Sequence, residues 1–311
     1  MRPRCPRPWP RSRPSHAPGA GRVVKIAIAS GKGGTGKTTV ATNLAARLAR
    51  SMPVVLADVD VEEPNSGLFL QGEPHHAEPI FKHVPAWQAG TCRHCGQCQE
   101  VCNFNAVLGL PDRVMIFPEL CHACRACSEL CPTGSLPLEP RRVGELRHGR
   151  AGRLDLVESR LLVGEEQATP LIAHTLDYLD RVFADHPLVI LDAPPGTSCS
   201  VVEATREADL VLLVTEPTPF GLHDLTLAVD TMRHLERPFR VVINRHGLGD
   251  DRVEDYCAVE GIEIVARIPH MREAAALHAG GQLLDHRVPA VDAALGALAG
   301  RLAENVAGVV R

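Results

Sequence analysis

Eight cysteines fall into two matching runs, Cys92-x₂-Cys95-x₂-Cys98-x₃-Cys102 and Cys121-x₂-Cys124-x₂-Cys127-x₃-Cys131, the second followed by Pro132. Three thiols this close together form a cup suited to a polynuclear iron–sulfur core, and the fourth cysteine of such a run ligates the other core. The pattern assigns Cys92, Cys95, Cys98 and Cys131 to one [4Fe–4S] cluster and Cys102, Cys121, Cys124 and Cys127 to a second. The competing use, a pair of Cys₄ zinc sites, normally draws on separated C-x₂-C pairs. His94 and His122 read as exposed loop residues rather than ligands. Asn103 stands where Pro132 has its counterpart, which bears only on the local turn. Of the other cysteines, Cys5 reads as incidental, and Cys199 and Cys257 as packing.

A second chemistry is written at Gly31-Lys32-Gly33-Gly34-Thr35-Gly36-Lys37-Thr38-Thr39, after an apolar strand and at the start of a helix. Glycines let backbone N–H groups turn toward phosphate oxygens, and the helix N-terminus adds partial positive charge. In a loop of this kind Lys37 reaches the β- and γ-phosphates and the Thr38 hydroxyl holds Mg²⁺. Asp192 closes the apolar run LVILD and would hold a Mg²⁺-bound water, and Pro194-Pro195-Gly196 makes a rigid turn behind it. Asp58 and Asp60 follow another apolar run; one of them could polarise the attacking water, or both could be ordinary strand-end residues. The chain has four lysines, two of them in this loop.

The loop with its extra Lys32 resembles the deviant phosphate loop of the MinD/ParA/nitrogenase-iron-protein class of P-loop ATPases. The likeness continues through DVDVEEPN (58–65), LDAPPGT (191–197), TEPTPFGLHD (215–224), VVIN (241–244) and IPHMREAA (268–275). The cysteine runs make the chain similar to the subgroup with an inserted two-cluster ferredoxin domain. That resemblance implies an ATP-dependent homodimer in which Lys32 contacts phosphate across the interface, Asp60 positions the hydrolytic water and Asn244 reads the adenine. In a single chain Lys32 is expected to project into solvent.

These groups need a scaffold. Largely apolar strand-like runs at 23–29, 53–58, 188–192, 210–215 and 240–243, with a last strand at 262–268, alternate with helical stretches at 37–50, 169–184, 222–235 and 252–260. That pattern predicts a mostly parallel α/β sheet covered by helices on both faces. Residues 62–90 read as loop, 141–152 as a polar connector and 161–164 as a short strand. The expected organisation is an ATPase domain over 23–311, an inserted ferredoxin-like domain over 90–140, and an Arg/Pro-rich segment at 1–22 that is either a disordered tail or a mis-assigned start.

Composition limits the function. The net charge is −4, although residues 1–22 carry six arginines and no acid. Without a basic face, non-specific nucleic-acid binding is not expected. Thiols in this number beside a nucleotide motif point to metal in a cytoplasmic setting rather than disulfides. The C-terminal segment VDAALGALAGRLAENVAGVVR has too few basic residues for a membrane-surface helix. The leading expectation is a Mg²⁺-dependent ATPase linked to electron transfer toward a redox or metalloenzyme partner. The alternatives are a metal or iron–sulfur maturation ATPase, disfavoured by the lack of a C-terminal C-x-x-C, and a MinD-like positional switch.

Overall fold

The computed structural model describes residues 23–70 and 72–310; the basic segment 1–22, with Cys5, lies outside the described residues. The strands are β1 (Val24–Ala29), β2 (Val54–Asp58), β3 (Glu73–Pro85), β4 (Val107–Gly109), β5 (Val114–Ile116), β6 (Leu138–Ala151), β7 (Leu154–Leu161), β8 (Leu188–Asp192), β9 (Leu210–Thr215), β10 (Phe239–His246) and β11 (Ile264–Pro269). The α-helices are α1 (Lys37–Leu48), α2 (Gln97–Glu100), α3 (Ala126–Glu129), α4 (Ala168–Val182), α5 (Cys199–Thr205), α6 (Pro219–His234), α7 (Arg252–Val259), α8 (Arg272–Ala279) and α9 (Pro289–Val310).

Among the described residues one nine-stranded sheet runs β11-β10-β9-β1-β8-β2-β7-β6-β3. All pairings from β11 to β7 are parallel, and β6 and β3 add antiparallel strands at one edge. Pleating splits each central strand between two cores. On β1, Ile26 and Ile28 face α1, α8 and α9, while Ala27 and Ala29 face α4, α5, α6 and α7. Burial on both sides explains why these strands read as unbroken apolar runs. Helix α9 spends its apolar face on the domain: Val291, Leu295, Leu298, Leu302 and Val306 are all buried in the core beside α1. No helix among the described residues is long and apolar enough to cross a membrane.

The edge departs from the expected loop and connector. Residues within 62–90 and 141–152 form β3 and β6, which pair antiparallel from Glu73–Arg150 to Pro85–Leu138. Pro74 and Pro79 are tolerated because β3 is an edge strand with one side free of ladder bonds. The strand expected at 161–164 lies earlier, as β7. Its charged residues are absorbed by partners: Asp155 accepts from His148 Nε2 at 2.7 Å and pairs with Arg150 Nε at 3.0 Å. Glu158 Oε1 accepts from Gly67 N at 2.8 Å. The cysteine-rich segment with α2, β4, β5 and α3 lies between β3 and β6, at the tip of this long hairpin.

Candidate functional site

The phosphate loop leaves β1, which lies between β8 and β9, so it opens where the chain crosses from one side of the sheet to the other. Ligands of open α/β sheets bind at such points, beyond the carboxyl ends of the strands. Gly34 and Gly36 have φ of 78° and 95°, the left-handed region. A Cβ on Gly36 would lie 2.2 Å from Asn244 Nδ2, so glycine is required there for space as well as conformation. Asn244 Nδ2 donates to Thr35 O at 2.8 Å, tying the end of β10 to the loop. Gly196 N donates to Ser30 O at 2.9 Å, which docks the turn after β8 on the same loop.

Three carboxylates and one ammonium converge below the loop. Asp58 and Asp192 are direct neighbours in the β2–β8 ladder. The Lys37 side chain is buried among Asp192, Asp60 and Asp58; burial lowers its proton affinity and the three acids oppose that. Burial, then repulsion from Asp58, pushes Asp192 well above the usual carboxylate range. Among the described residues both Asp192 oxygens are buried without a partner at normal hydrogen-bond geometry, and the Thr38 hydroxyl, close enough to favour the charged form, is the neighbour that most does so. A buried carboxylate left unpaired beside a hydroxyl fits a hard divalent cation such as Mg²⁺. Burial also raises Asp58 to about 6, although it accepts from the backbone of Asp60 at 3.1 Å and of Asn65 and Ser66 at 2.9 Å. Asp58 thus fastens the loop that carries Asp60, while Asp60 itself stays open to the site. Burial raises Asp60 to about 6, with Lys37 opposing.

These shifts have a pH signature. Asp58 and Asp60 hold protons in the fold that an unfolded chain has already released. Their contribution to stability is complete below about pH 4 and is lost as pH rises through about 6. Mg·ADP is expected to restore it, raising Tm more at pH 8 than at pH 5 in a calorimetric scan. An equal gain at both pH values would mean that the acids do not face the bound cation.

Lys32 is not free in solvent. Its Nζ lies 2.8 Å from Glu216 Oε1, and Arg245 Nη1 lies 2.8 Å from Glu216 Oε2. Glu216 is almost fully buried, and Lys32 holds its favourable partner within its own chain. Arg245 follows Asn244 and has φ of 54°, a strained value for arginine. Glu216 and Arg245 were missed as site residues, although Glu216 lies in the TEPTPFG stretch that signals the loop after β9. Another unforeseen contact joins the phosphate-loop helix to α8: Thr39 Oγ1 lies 3.3 Å from the His278 ring, which stacks on Phe69 at 4.5 Å.

The cysteine runs fold with an internal two-fold likeness. In the first run His94 and Gly96 take positive φ; in the second, Ala123 and Arg125 take it at the equivalent positions. The fourth cysteines match too. Asn105 and Gly134 take positive φ three residues after Cys102 and Cys131, and Ala106 N and Ser135 N each donate to the preceding Sγ at 3.3 Å. The turn at Asn103 therefore has the form of its counterpart at Pro132. Alternating left-handed residues turn N–H groups inward onto sulfur, and strain of this kind persists where the surroundings impose it. Cys92, Cys95, Cys98 and Cys131 line one cavity of about 370 Å³ with Trp87 and Leu136. On the other side burial raises Cys127 to about 11, with Cys121, Cys124 and Cys102 adding to the shift as neighbouring thiols. Each set thus contains three cysteines of one run and the fourth of the other. His94 and His122 are exposed, and Cys257 is a buried core residue on α7.

Among the described residues the tightest group of metal-ligand types is Asp285, His286 and Asp292. Arg47 bridges its two acids, with Nη1 2.7 Å from Asp285 and 2.6 Å from Asp292, and Arg50 supplies a second cation to Asp285.

Residues 26–284 match the CobQ/CobB/MinD/ParA nucleotide binding domain family. An uncharacterised protein of Methanocaldococcus jannaschii is 30% identical over 235 residues, covering 73% of this chain and 82% of its own length. An iron–sulfur cluster carrier protein of Pyrococcus abyssi is 24% identical over 267 residues, covering 79% of this chain and 73% of its own. Among solved structures, the septum site-determining protein MinD of Pyrococcus horikoshii, in complex with Mg-ADP, superimposes with a TM-score of 0.59 at 17% identity. That superposition covers 93% of this chain and 99% of the MinD chain. With the family match spanning most of the sequence and the phosphate loop at the switch point of a matching sheet, the chain belongs to the CobQ/CobB/MinD/ParA nucleotide-binding family and is a MinD/ParA-type P-loop ATPase.

Proposed function

We propose that this ATPase couples ATP-driven dimer switching to electron transfer through two [4Fe–4S] clusters, delivered to a redox partner protein in the cytoplasm. The module that holds the clusters is the hairpin insertion, residues 90–140, within an ATPase domain over 23–311. The observation that carries this reading is the crossed sharing of cysteines between two cups of matching backbone. Structural zinc normally takes separated C-x₂-C pairs, whereas each cup here draws three thiols from one seven-residue run and a fourth from the other. When bound, such clusters take up and release single electrons. The chain's own residues orient the ligands: backbone N–H groups of His94, Ala106 and Ser135 donate to Cys92, Cys102 and Cys131.

At the nucleotide, Lys37 meets the phosphates, Thr38 and Asp192 hold Mg²⁺, Asp60 orients the attacking water and Asn244 contacts the base. Gly31, Gly33, Gly34, Thr35, Gly36 and Thr39 complete the cradle. The Asp60 loop leads into β3 and so into the module, giving the two sites one continuous stretch of chain.

A second reading is cluster carriage to a metalloenzyme, favoured by the relatives named iron–sulfur cluster carrier proteins. Against it, Cys121 and Cys127 are buried, an awkward start for release. Protein purified without oxygen is expected to be brown, with about eight irons and eight sulfides per chain, the content of two cubanes. It is expected to keep that iron through ATP turnover beside an apo-ferredoxin. Transfer of iron to the apo-ferredoxin would establish carriage instead, and two zinc ions in colourless protein would end the iron–sulfur reading.

A further inference from the structure

Two of the four lysines serve the phosphate loop, and a third, Lys25, pairs with Asp180. The fourth, Lys82, is buried on β3 with its side chain 1% exposed, and its Nζ lies 2.6 Å from Oε1 of Glu165, 4% exposed. Taking two charges out of water costs several kcal/mol per ion before their attraction is counted, and well-packed apolar residues often serve stability as well. Such a pair therefore calls for a reason beyond stability, and its position supplies one.

Lys82 precedes by two residues Val84, which packs with Ala106, Cys121 and Cys102. Lys82 lies opposite Arg141 in the β3–β6 ladder, and Arg141 reaches Glu119, two residues before Cys121. Glu165 lies on the loop between β7 and α4, four residues beyond Leu161, whose N–H donates to Val61 O at 2.9 Å beside Asp60. The same loop touches the module through Gln167 Nε2, which donates to Glu119 O at 3.1 Å. Arg141 completes the group, 3.9 Å from Glu165 and 2.8 Å from Glu119. These ion pairs thus gather at the base of the module beside one cysteine set. Around Cys92, Cys95, Cys98 and Cys131 the cavity is lined instead by Arg93, His94 and Glu100.

We propose that the buried Lys82–Glu165 ion pair sets the reduction potential of the cluster held by Cys102, Cys121, Cys124 and Cys127, and leaves the other cluster unaffected. This rests on the two-cluster reading above. Reduction adds one electron to an anionic core. A buried ammonium beside it favours the reduced form and a carboxylate disfavours it, both more strongly than in water. Removing either partner therefore moves the potential in opposite directions, whereas a pair that served only packing would perturb both variants alike.

The test is anaerobic potentiometry followed by electron paramagnetic resonance, after iron and sulfide have been counted. Lys82→Met is expected to make one cluster harder to reduce, changing its reduced-to-oxidised ratio about tenfold at fixed ambient potential, equivalent to 59 mV for one electron. Glu165→Gln should make the same cluster easier to reduce, and the double variant should return toward wild type. Cys95→Ser identifies the signal of the other cluster, which should stay unmoved in all three. Should Lys82→Met fail to fold, Glu165→Gln and the charge-retaining Lys82→Arg still decide, the first shifting upward and the second holding near wild type. Shifts of the same sign in Lys82→Met and Glu165→Gln, or none, overturn the assignment while leaving the clusters in place. Wild-type protein without iron overturns both readings together.

Discussion

Lys32→Ala protein is expected to bind Mg·ATP normally and to hydrolyse it about 10³–10⁵-fold more slowly, the range associated with a cation supplied to the transition state from a partner subunit. The family resemblance implies that Lys32 serves the nucleotide of a second chain, so its loss is expected to spare the contacts made by its own loop. The resting structure adds a condition: Lys32 must leave Glu216, 2.8 Å away, before it can reach a partner. Arg245 stays on the same carboxylate and prevents Glu216 from being left as a bare buried charge. Mixing Lys32→Ala with an excess of Lys37→Ala protein is expected to restore part of the turnover. In the mixed dimer one site then has its own Lys37 and the partner's Lys32. If mixed dimers form by mass measurement and no activity returns, Lys32 does not act in trans. Near-normal turnover in the single variant would make it a structural partner of Glu216.

Lys37→Ala is expected to lose both tight Mg·ATP binding and all measurable turnover. The substitution also removes the one ammonium that, among the described residues, sits between Asp58, Asp60 and Asp192. The three acids then repel one another without compensation, so the nucleotide-free variant should melt lower than wild type at pH 8 and recover toward it at pH 5, where Asp58 and Asp60 are protonated. Isothermal titration and a pH series of melting scans check the two halves. Tight ATP binding by Lys37→Ala would show that the phosphates sit elsewhere.

The parallel sheet was legible because its strands are buried on both faces: VVKIAIA and LVILD have no alternation to hide them. The hairpin was not. In β3, EPHHAEPIFKHVP mixes proline, histidine and charge at a sheet edge, where the ladder makes fewer demands. In β7, Asp155 and Glu158 interrupt the apolar pattern, and only the fold reveals His148, Arg150 and the Gly67 amide that accommodate them. The phosphate loop and the cysteine runs were readable because each is a local motif whose spacing is its geometry. Glu216 and Glu165 were not, since their partners Lys32 and Lys82 lie far away along the chain and nothing in the sequence sets their register.

Val54 and Leu154 pair in adjacent parallel strands although 100 positions separate them. An unstructured loop of that length would carry the full entropy of closure between β2 and β7. Once β3 and β6 have zipped, the free chain shrinks to the short stretches on either side of the hairpin, and the segment at its tip no longer counts against the pairing. Even before zipping, doubling a flexible loop adds only about 0.6 kcal/mol. The hairpin therefore acts as a socket for inserted sequence. A guest at its tip can be lengthened, shortened or exchanged at little cost to the sheet behind it, and an ATPase of this plan could gain or lose an inserted module without redesigning its core.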